Sequence, residues 1–279
     1  MVYVTLTTIP SRLHSEDPSN IISCINSLAN QDYPDYEIHF NIPSIYKKLD
    51  VEYIIPDWLK EIEKVKIFRT EDRGPLTKLL ETVNRVHDPE AIIIVADDDL
   101  VYDPRMVSEQ VNNQAKWPEC AVGYDGMRSR DEKGNYGRHF GDIRDYYFTS
   151  NYRSSRVDVL QHYKTVSYKR RFFEEDFNDF INDNYSWSDD ILIAAYLSYK
   201  KRDRIATFHT DDEEFTSRQE WEERGGVTTF PVLQHTSHES YEGCNISRQT
   251  GEPDNSSDLY RFIDAGYKKE IKENDDTDE

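Results

Sequence analysis

The sequence predicts an α/β fold, a mostly parallel central sheet with helices on both faces. Three observations carry that expectation. Short runs rich in Val, Ile and Thr alternate with amphipathic stretches of helical length. One run, "AIIIVA" (91–96), is apolar on both faces, as a strand buried at the centre of a sheet must be. The chain has 279 residues, 37% of them hydrophobic and 13% aromatic, enough to bury a sizeable core.

The elements follow in order. "VYVTLTTI" (2–9) reads as a strand that "PSR" breaks. "SNIISCINSLANQ" (19–31) predicts a helix capped by Ser19, with Ile22, Ile25, Leu28 and Ala29 on its apolar face. "DYP" is the turn before a second strand, "YEIHFNI" (36–42). An amphipathic piece around "WLKEIEK" leads to a third strand, "VKIFRT" (65–70). "GPLTKLLETVNRV" (74–86) predicts a helix with Pro75 in its first turn. The fourth strand (91–96) precedes a helix over 104–117.

After "CAVGYDG" (120–126) the pattern changes. Gly134, Gly137 and Gly141 punctuate a polar, Tyr- and Arg-rich region, and the next long helix is "SDDILIAAYLSYKK" (188–201). No linker or repeat divides the chain, so a single domain over 1–265 is expected, with halves at about 1–126 and 127–265. The end, 266–279, is an acidic tail with almost no apolar content.

A net charge of −20 argues against a nucleic-acid partner. The basic clusters "YKRRFF" (168–173) and "KKRDR" (200–204) are short and read as solvated faces beside core aromatics. No apolar run approaches the ~20 residues of a membrane span, and the first residues lack a signal-peptide pattern, so a soluble intracellular protein is expected. Cys24, Cys120 and Cys244 are too few and too far apart for a disulfide framework.

The chemistry concentrates at the end of the fourth strand. Asp97, Asp98 and Asp99 follow a fully apolar run, where uncompensated carboxylates are costly. A divalent cation, Mn²⁺ or Mg²⁺, is the economical partner, because hard oxygen ligands suit it and such ions also hold substrate phosphates. Ligands of parallel sheets bind beyond the carboxyl ends of the strands. Positive groups stand on the loops leaving those ends: Arg12 after the first strand, Arg73 and Lys78 after the third. A second acidic element, Asp189 and Asp190, opens the late helix. Ser186 or Ser188 caps that helix and both aspartates favour its dipole, or one of them is a general base. Successive helical side chains diverge by about 100°, so only one faces the reacting atom. Last, "VLQHTSHES" (232–240) offers His235 and His238, and a neutral imidazole suits a Mn²⁺ shell.

In this order the motifs resemble the GT-A glycosyltransferases, which transfer sugars from nucleotide diphosphate donors. "SLANQDYPDYEIHFNI" resembles their helix, Q-x-Y-P turn and second strand, "DDD" their metal-binding D-x-D, and "WSDDILIAAYL" their late acidic motif. The likeness runs from Val2 to about Lys200. It implies the Rossmann-like GT-A fold, with nucleotide sugar, most simply a UDP-sugar, on the first half and a glycan or glycoprotein acceptor on the second, irregular half. It further implies that Asp97 lies near the ribose or the metal, that Asp99 binds the ion bridging the phosphates, and that Asp190 is the base of an inverting transfer, with Asp189 as alternative. His235 is the first choice for a further metal ligand. The expected donor-binding set is Thr8, Pro10, Arg12, Asp72, Arg73, Lys78, Asp97 and Asp98.

Length, acidity, "TIPSRL" and "GPLTKLL" are also similar to the small glycosyltransferases that large algal viruses use to build capsid glycans outside the secretory pathway. Through a β-xylosyltransferase of that group, the resemblance implies UDP-xylose as donor and the host cytoplasm as location. Two other readings stand beside it. "IIIVADDDLVY" also fits the D-x-D-x-V motif of haloacid dehalogenase-like phosphatases, with Asp97 as nucleophile and Asp99 as acid. A sugar- or nucleotide-binding protein without turnover is the other.

Overall fold

The computed structural model describes residues 1–15, 18–127, 147–149, 152–184, 188–209 and 232–235. The run "VYVTL" forms β1 (Val2–Leu6), and Pro10 then opens a single turn of helix, α1 (Pro10–Leu13). Helix α2 (Ser19–Ala29) follows, but Ser19 is its first residue rather than its cap. Pro18 holds the cap position, with no side-chain bond. The buried face of α2 is Ile21, Cys24, Ile25 and Leu28, one position round from the expected Ile22 and Ala29.

Strand β2 (Tyr36–Pro43) leads into a small hairpin of β3 (Ile45–Tyr46) and β4 (Val51–Glu52), then α3 (Asp57–Lys60) and β5 (Val65–Thr70). Helix α4 spans Thr77–Arg85 and begins later than Pro75 predicts. Gly74 adopts a left-handed φ of 60° and Arg73 bridges to Pro75, so the segment turns once before it winds. Strand β6 (Ile92–Val95) runs into the aspartates, β7 (Leu100–Tyr102) and α5 (Met106–Lys116).

Beyond α5 lie β8 (Ala121–Gly123), β9 (Gly126–Met127), β10 (Tyr147–Thr149), β11 (Tyr152–Arg156), β12 (Val159–Leu160) and β13 (Val166–Lys169). Helices α6 (Phe177–Asp183) and α7 (Asp189–Tyr199) precede β14 (Arg204–His209) and β15 (Val232–His235). The main sheet has nine strands in the order β10-β11-β14-β8-β13-β6-β1-β2-β5. Its run β6-β1-β2-β5 is parallel throughout, while β13 lies antiparallel between β6 and β8.

The two faces of β6 divide the core. Ile92, Ile94 and Ala96 join α2 and α5 through Ile25, Leu28, Met106 and Val107. Ile93 and Val95 join Leu79, Leu80 and Val83 of α4 and an aromatic cluster in which Phe173 lies 4.7 Å from Phe177, itself 4.8 Å from Tyr196. Each strand residue therefore buries its side chain on one side or the other, as a doubly covered sheet requires.

The glutamine of "NQDYP" fastens two helices. Gln31 Nε2 donates to the carbonyls of Ser27 (2.8 Å) and Asp103 (2.9 Å), and Oε1 accepts from the Val107 amide (3.0 Å), tying the end of α2 to the start of α5. The basic stretch 168–173 presents Arg171 at the surface, paired with the exposed Glu90 and Glu119, both at 2.6 Å, beside the buried Phe172 and Phe173. Cys24 is buried and Cys120 partly exposed. Among the described residues no helix is long and apolar enough to cross a membrane. Cys244, His238, Ser186, the expected glycines 134, 137 and 141, and the tail 266–279 lie outside the described residues.

Candidate functional site

The parallel run of the sheet delivers its loops to one edge. The loop after β1 brings Thr8 and Arg12, the turn after β5 brings Asp72, Arg73 and the start of α4 with Lys78, and the end of β6 brings Asp97, Asp98 and Asp99. Because β13 runs antiparallel to β6, its leading turn, His162–Lys164, arrives at the same edge.

The triplet is held from behind by side chains of the core. The buried Tyr102 hydroxyl accepts from the Asp97 amide (2.8 Å) and donates to the Asp97 carbonyl (2.9 Å), closing the bend between β6 and β7. Cys24 Sγ lies 3.4 Å from the same carbonyl. We expect Tyr102→Phe to cost about 1–3 kcal/mol, because both groups lose their buried partner; urea denaturation measures it, and an unchanged midpoint would count against this clamp.

In front, the aspartates meet fixed cations. Arg12 pairs with Asp98 and places its Nη2 3.1 Å from Asp99 Oδ2. Thr8 Oγ1 also donates to Asp98. Lys78 Nζ sits 2.6 Å from Asp97 Oδ1 and 2.9 Å from Asp189 Oδ2, its side chain only 7% exposed. His162 Nδ1 lies 2.8 Å from both Asp189 Oδ2 and Asp190 Oδ1, and its Nε2 lies 2.7 Å from the Tyr168 hydroxyl. A continuous polar chain thus runs from Asp97 through Lys78, Asp189 and His162 to Asp190.

Burial sets the energetics of that chain. It opposes charge on Lys78, but Asp189, Asp97 and Asp190 outweigh it and hold the ammonium well above its ordinary pKa. It likewise opposes charge on His162, and Tyr168, Asp190 and Asp189 override it upward. The Asp189 carboxylate is disfavoured by burial yet driven far below the usual range by Lys78 and His162. For Asp98 desolvation wins, and its pKa is raised despite Arg12. A carboxylate depressed in the fold contributes stability above its unfolded pKa, about 3.9, and loses it as pH falls below that value. Wild-type protein should therefore lose stability below about pH 4 more steeply than Asp189→Asn, and urea denaturation across acid pH would sink this if the two curves ran parallel.

Not every expected residue joins this chain. Pro10 is buried at the start of α1. Asp72 accepts from the Lys47 amide (2.9 Å) and the Gly74 amide (2.8 Å), which shapes its own loop. Arg73 reaches Glu71 (3.5 Å) and, from Nη1, Asn182 of α6 (3.3 Å). Strand β15 pairs with β7 so that His235 stands opposite Leu100, the neighbour of Asp99. Ser188 holds the cap position of α7, where its side chain makes no capping bond. His162 and Tyr168 escaped sequence reasoning: "QHYKTVSY" carries no motif, and only the turn into β13 brings them to Asp189 and Asp190.

The residues fit a divalent cation. Five carboxylates, Asp97, Asp98, Asp99, Asp189 and Asp190, outnumber the three cationic groups that face them, Arg12, Lys78 and His162 with its raised pKa, and hard oxygen donors of this kind suit such an ion. His162, Asp189 and Asp190 also offer three ligand-type atoms within 4.8 Å of one another, a group of the kind that can hold an ion. At both places fixed cations already stand against the carboxylates, Lys78 against Asp189 and Asp97 and Arg12 against Asp99, so an ion bound at either would share its ligands with them.

The profile of "Glycosyl transferase family 2" matches residues 13–177, more than half of the chain and the whole aspartate triplet. No curated protein matches. Among solved structures, S. aureus TarS 1–349 is 12% identical at a TM-score of 0.47, over 76% of this chain and 58% of that one. Its complex with UDP is 12% identical at 0.49, over 94% and 69%. A 4-diphosphocytidyl-2C-methyl-D-erythritol synthase from Anaerococcus prevotii DSM 20548 is 12% identical at 0.48, over 89% and 96%. The chain thus spans less than two thirds of the length of the first of these structures.

Proposed function

We propose, for a chain that belongs to glycosyl transferase family 2, that it moves a sugar from a nucleotide diphosphate donor to a glycan hydroxyl by a metal-dependent, inverting displacement. The observation that carries this is the polar chain joining the aspartate triplet to Asp190 at one edge of the sheet. It brings the triplet, our candidate for the cation-binding end, and a candidate base to one edge of the sheet, an arrangement that group transfer from a diphosphate can use.

Residue roles follow from position. Arg12, a rigid fork of donors already at the triplet, is suited to a donor phosphate, and Thr8, Pro10, Asp72 and Arg73 line the loops on which the nucleotide is expected to lie. Asp99 and Asp97 would hold Mn²⁺ or Mg²⁺, with His235 as a further ligand. When bound, the ion supplies positive charge against the departing diphosphate. Asp190 takes the proton of the acceptor hydroxyl. The freed oxygen bonds to the anomeric carbon as the bond from that carbon to the phosphate oxygen breaks, and the diphosphate leaves with the electron pair. Attack opposite the leaving group inverts the centre. Asp189, pinned by Lys78 and His162 and held strongly acidic, is the poorer base.

UDP-xylose is the first donor to try, with other UDP-sugars beside it, and a glycan or glycoprotein as acceptor. By the same resemblance the site of action is the cytoplasm, of a host cell if the chain is virus-encoded. Family membership displaces the phosphatase reading of Asp97. The test is transfer by protein stripped with a chelator and then supplied with Mn²⁺ or Mg²⁺. Activity should vanish and return; transfer that persists without metal overturns metal dependence, and donor binding without turnover across a broad acceptor panel overturns the enzyme.

A further inference from the structure

We propose that His162 is a positioning residue for the base, fixing the Asp190 carboxylate so that one oxygen faces the acceptor hydroxyl. This rests on the reading of Asp190 as the base. Two contacts come from one residue: the His162 backbone amide donates to Asp190 Oδ1 at 3.0 Å, and the ring nitrogen Nδ1, hydrogen-bonded to Asp189 Oδ2, makes an ion-pair contact with the same Asp190 atom at 2.8 Å. Among the described residues the hydrogen bond that Asp190 accepts is that of the His162 amide, on Oδ1, and Oδ2 is the oxygen assigned to the acceptor hydroxyl.

His162 is itself locked on every side. Its side chain is 2% exposed, Nδ1 also meets Asp189, and the Tyr168 hydroxyl 2.7 Å from Nε2 fixes the ring plane. The turn that presents it is closed by Thr165 at φ 70° and ψ 139°, a backbone conformation that a β-branched residue rarely adopts. Thr165 is fully buried, accepts from Gln110 Nε2 at 2.8 Å, and donates its amide to the His162 carbonyl at 2.9 Å. Strain of this kind persists where surrounding structure enforces it, and here it presents an imidazole to two carboxylates.

Steady-state kinetics of His162→Leu, His162→Asn and His162→Gln test the proposal, with Asp190→Asn assayed alongside. Asparagine puts an amide near the Nδ1 position, whereas glutamine puts it near Nε2. We expect His162→Leu to lower kcat on the order of 100-fold, the cost of misplacing a reacting group by about 1 Å, with donor KM changed less than about threefold. His162→Asn should recover about tenfold of that loss and His162→Gln little. If His162→Leu fails to fold, the Asn and Gln pair decides. Wild-type kcat in His162→Leu, equal losses in Asn and Gln, or a loss that appears as a higher Mn²⁺ concentration for half-maximal activity overturns the proposal. Full activity in Asp190→Asn overturns the base reading and this proposal together, while an inactive Asp190→Asn beside an unaffected His162→Leu overturns the proposal alone.

Discussion

Asp190→Asn is expected to lower the rate of sugar transfer by about 10²–10⁴-fold while donor binding stays within about twofold of wild type. The substitution preserves size and removes only basicity. Asp190, the second residue of α7, has its side chain 26% exposed, so it can meet a substrate; loss of its charge at a partly buried helix start costs up to about 2 kcal/mol, and the asparagine oxygen can still accept from the His162 amide. Folding should therefore survive. Initial rates together with calorimetric donor titration separate the two effects. Near-full turnover would move the base elsewhere, and a collapse of donor binding would mean that Asp190 holds the nucleotide rather than the acceptor proton. Asp189→Asn should behave differently, weakening the fold more than the chemistry, because Asp189 faces Lys78 and His162 instead of solvent.

Lys78→Met is expected to destabilise the protein by about 3–5 kcal/mol, since removing one partner strands the buried charges of the others. The ammonium is the shared counter-ion of Asp97 at 2.6 Å and Asp189 at 2.9 Å. Asp97 is 28% exposed and retains some water, which places the expected loss toward the lower end of that range. The double variant Lys78→Met with Asp189→Asn should recover part of the loss, because it deletes one of the two stranded carboxylates. Urea denaturation of the four proteins in this cycle gives the coupling. Strict additivity would show that Lys78 and Asp189 do not act as a pair, and a loss below about 1 kcal/mol for Lys78→Met would place both charges in effective contact with water.

The parts of the fold that were legible are those whose burial repeats over several turns or residues. Strands β1, β2, β5 and β6 and helices α2, α4, α5 and α7 fall where alternation or helical spacing puts them, and the doubly apolar "IIIV" lies inside the sheet, between β1 and β13. The strands that follow "CAVGYDG" were illegible because they are short. Strands β10 to β13 hold 3, 5, 2 and 4 residues, too few for a period to emerge, and their pairing is with distant partners such as β6. Local signals also misled at helix starts. Ser19 and Pro75 both look like openers, yet Pro18 takes the cap of α2 and the left-handed Gly74 delays α4 to Thr77.

The candidate site divides along the same line. Asp97 to Asp99, Arg12, Lys78, Asp189 and Asp190 could be named because charged residues cost free energy where an apolar strand ends or a helix begins, and that cost is written in adjacent residues. The sequence alone could not pair Lys78 with Asp97 and Asp189, turn Arg73 toward Asn182, or bring His162 and Tyr168 to the acidic end of α7. Those contacts join residues up to 111 positions apart, as from Lys78 to Asp189, and exist only because strands and their crossovers return the chain to one edge of the sheet. Patterning determined which side chains must be buried or charged; the packed sheet decided which of them meet, because hydrogen bonds and ion pairs act over a few ångströms and sequence distance is no measure of that.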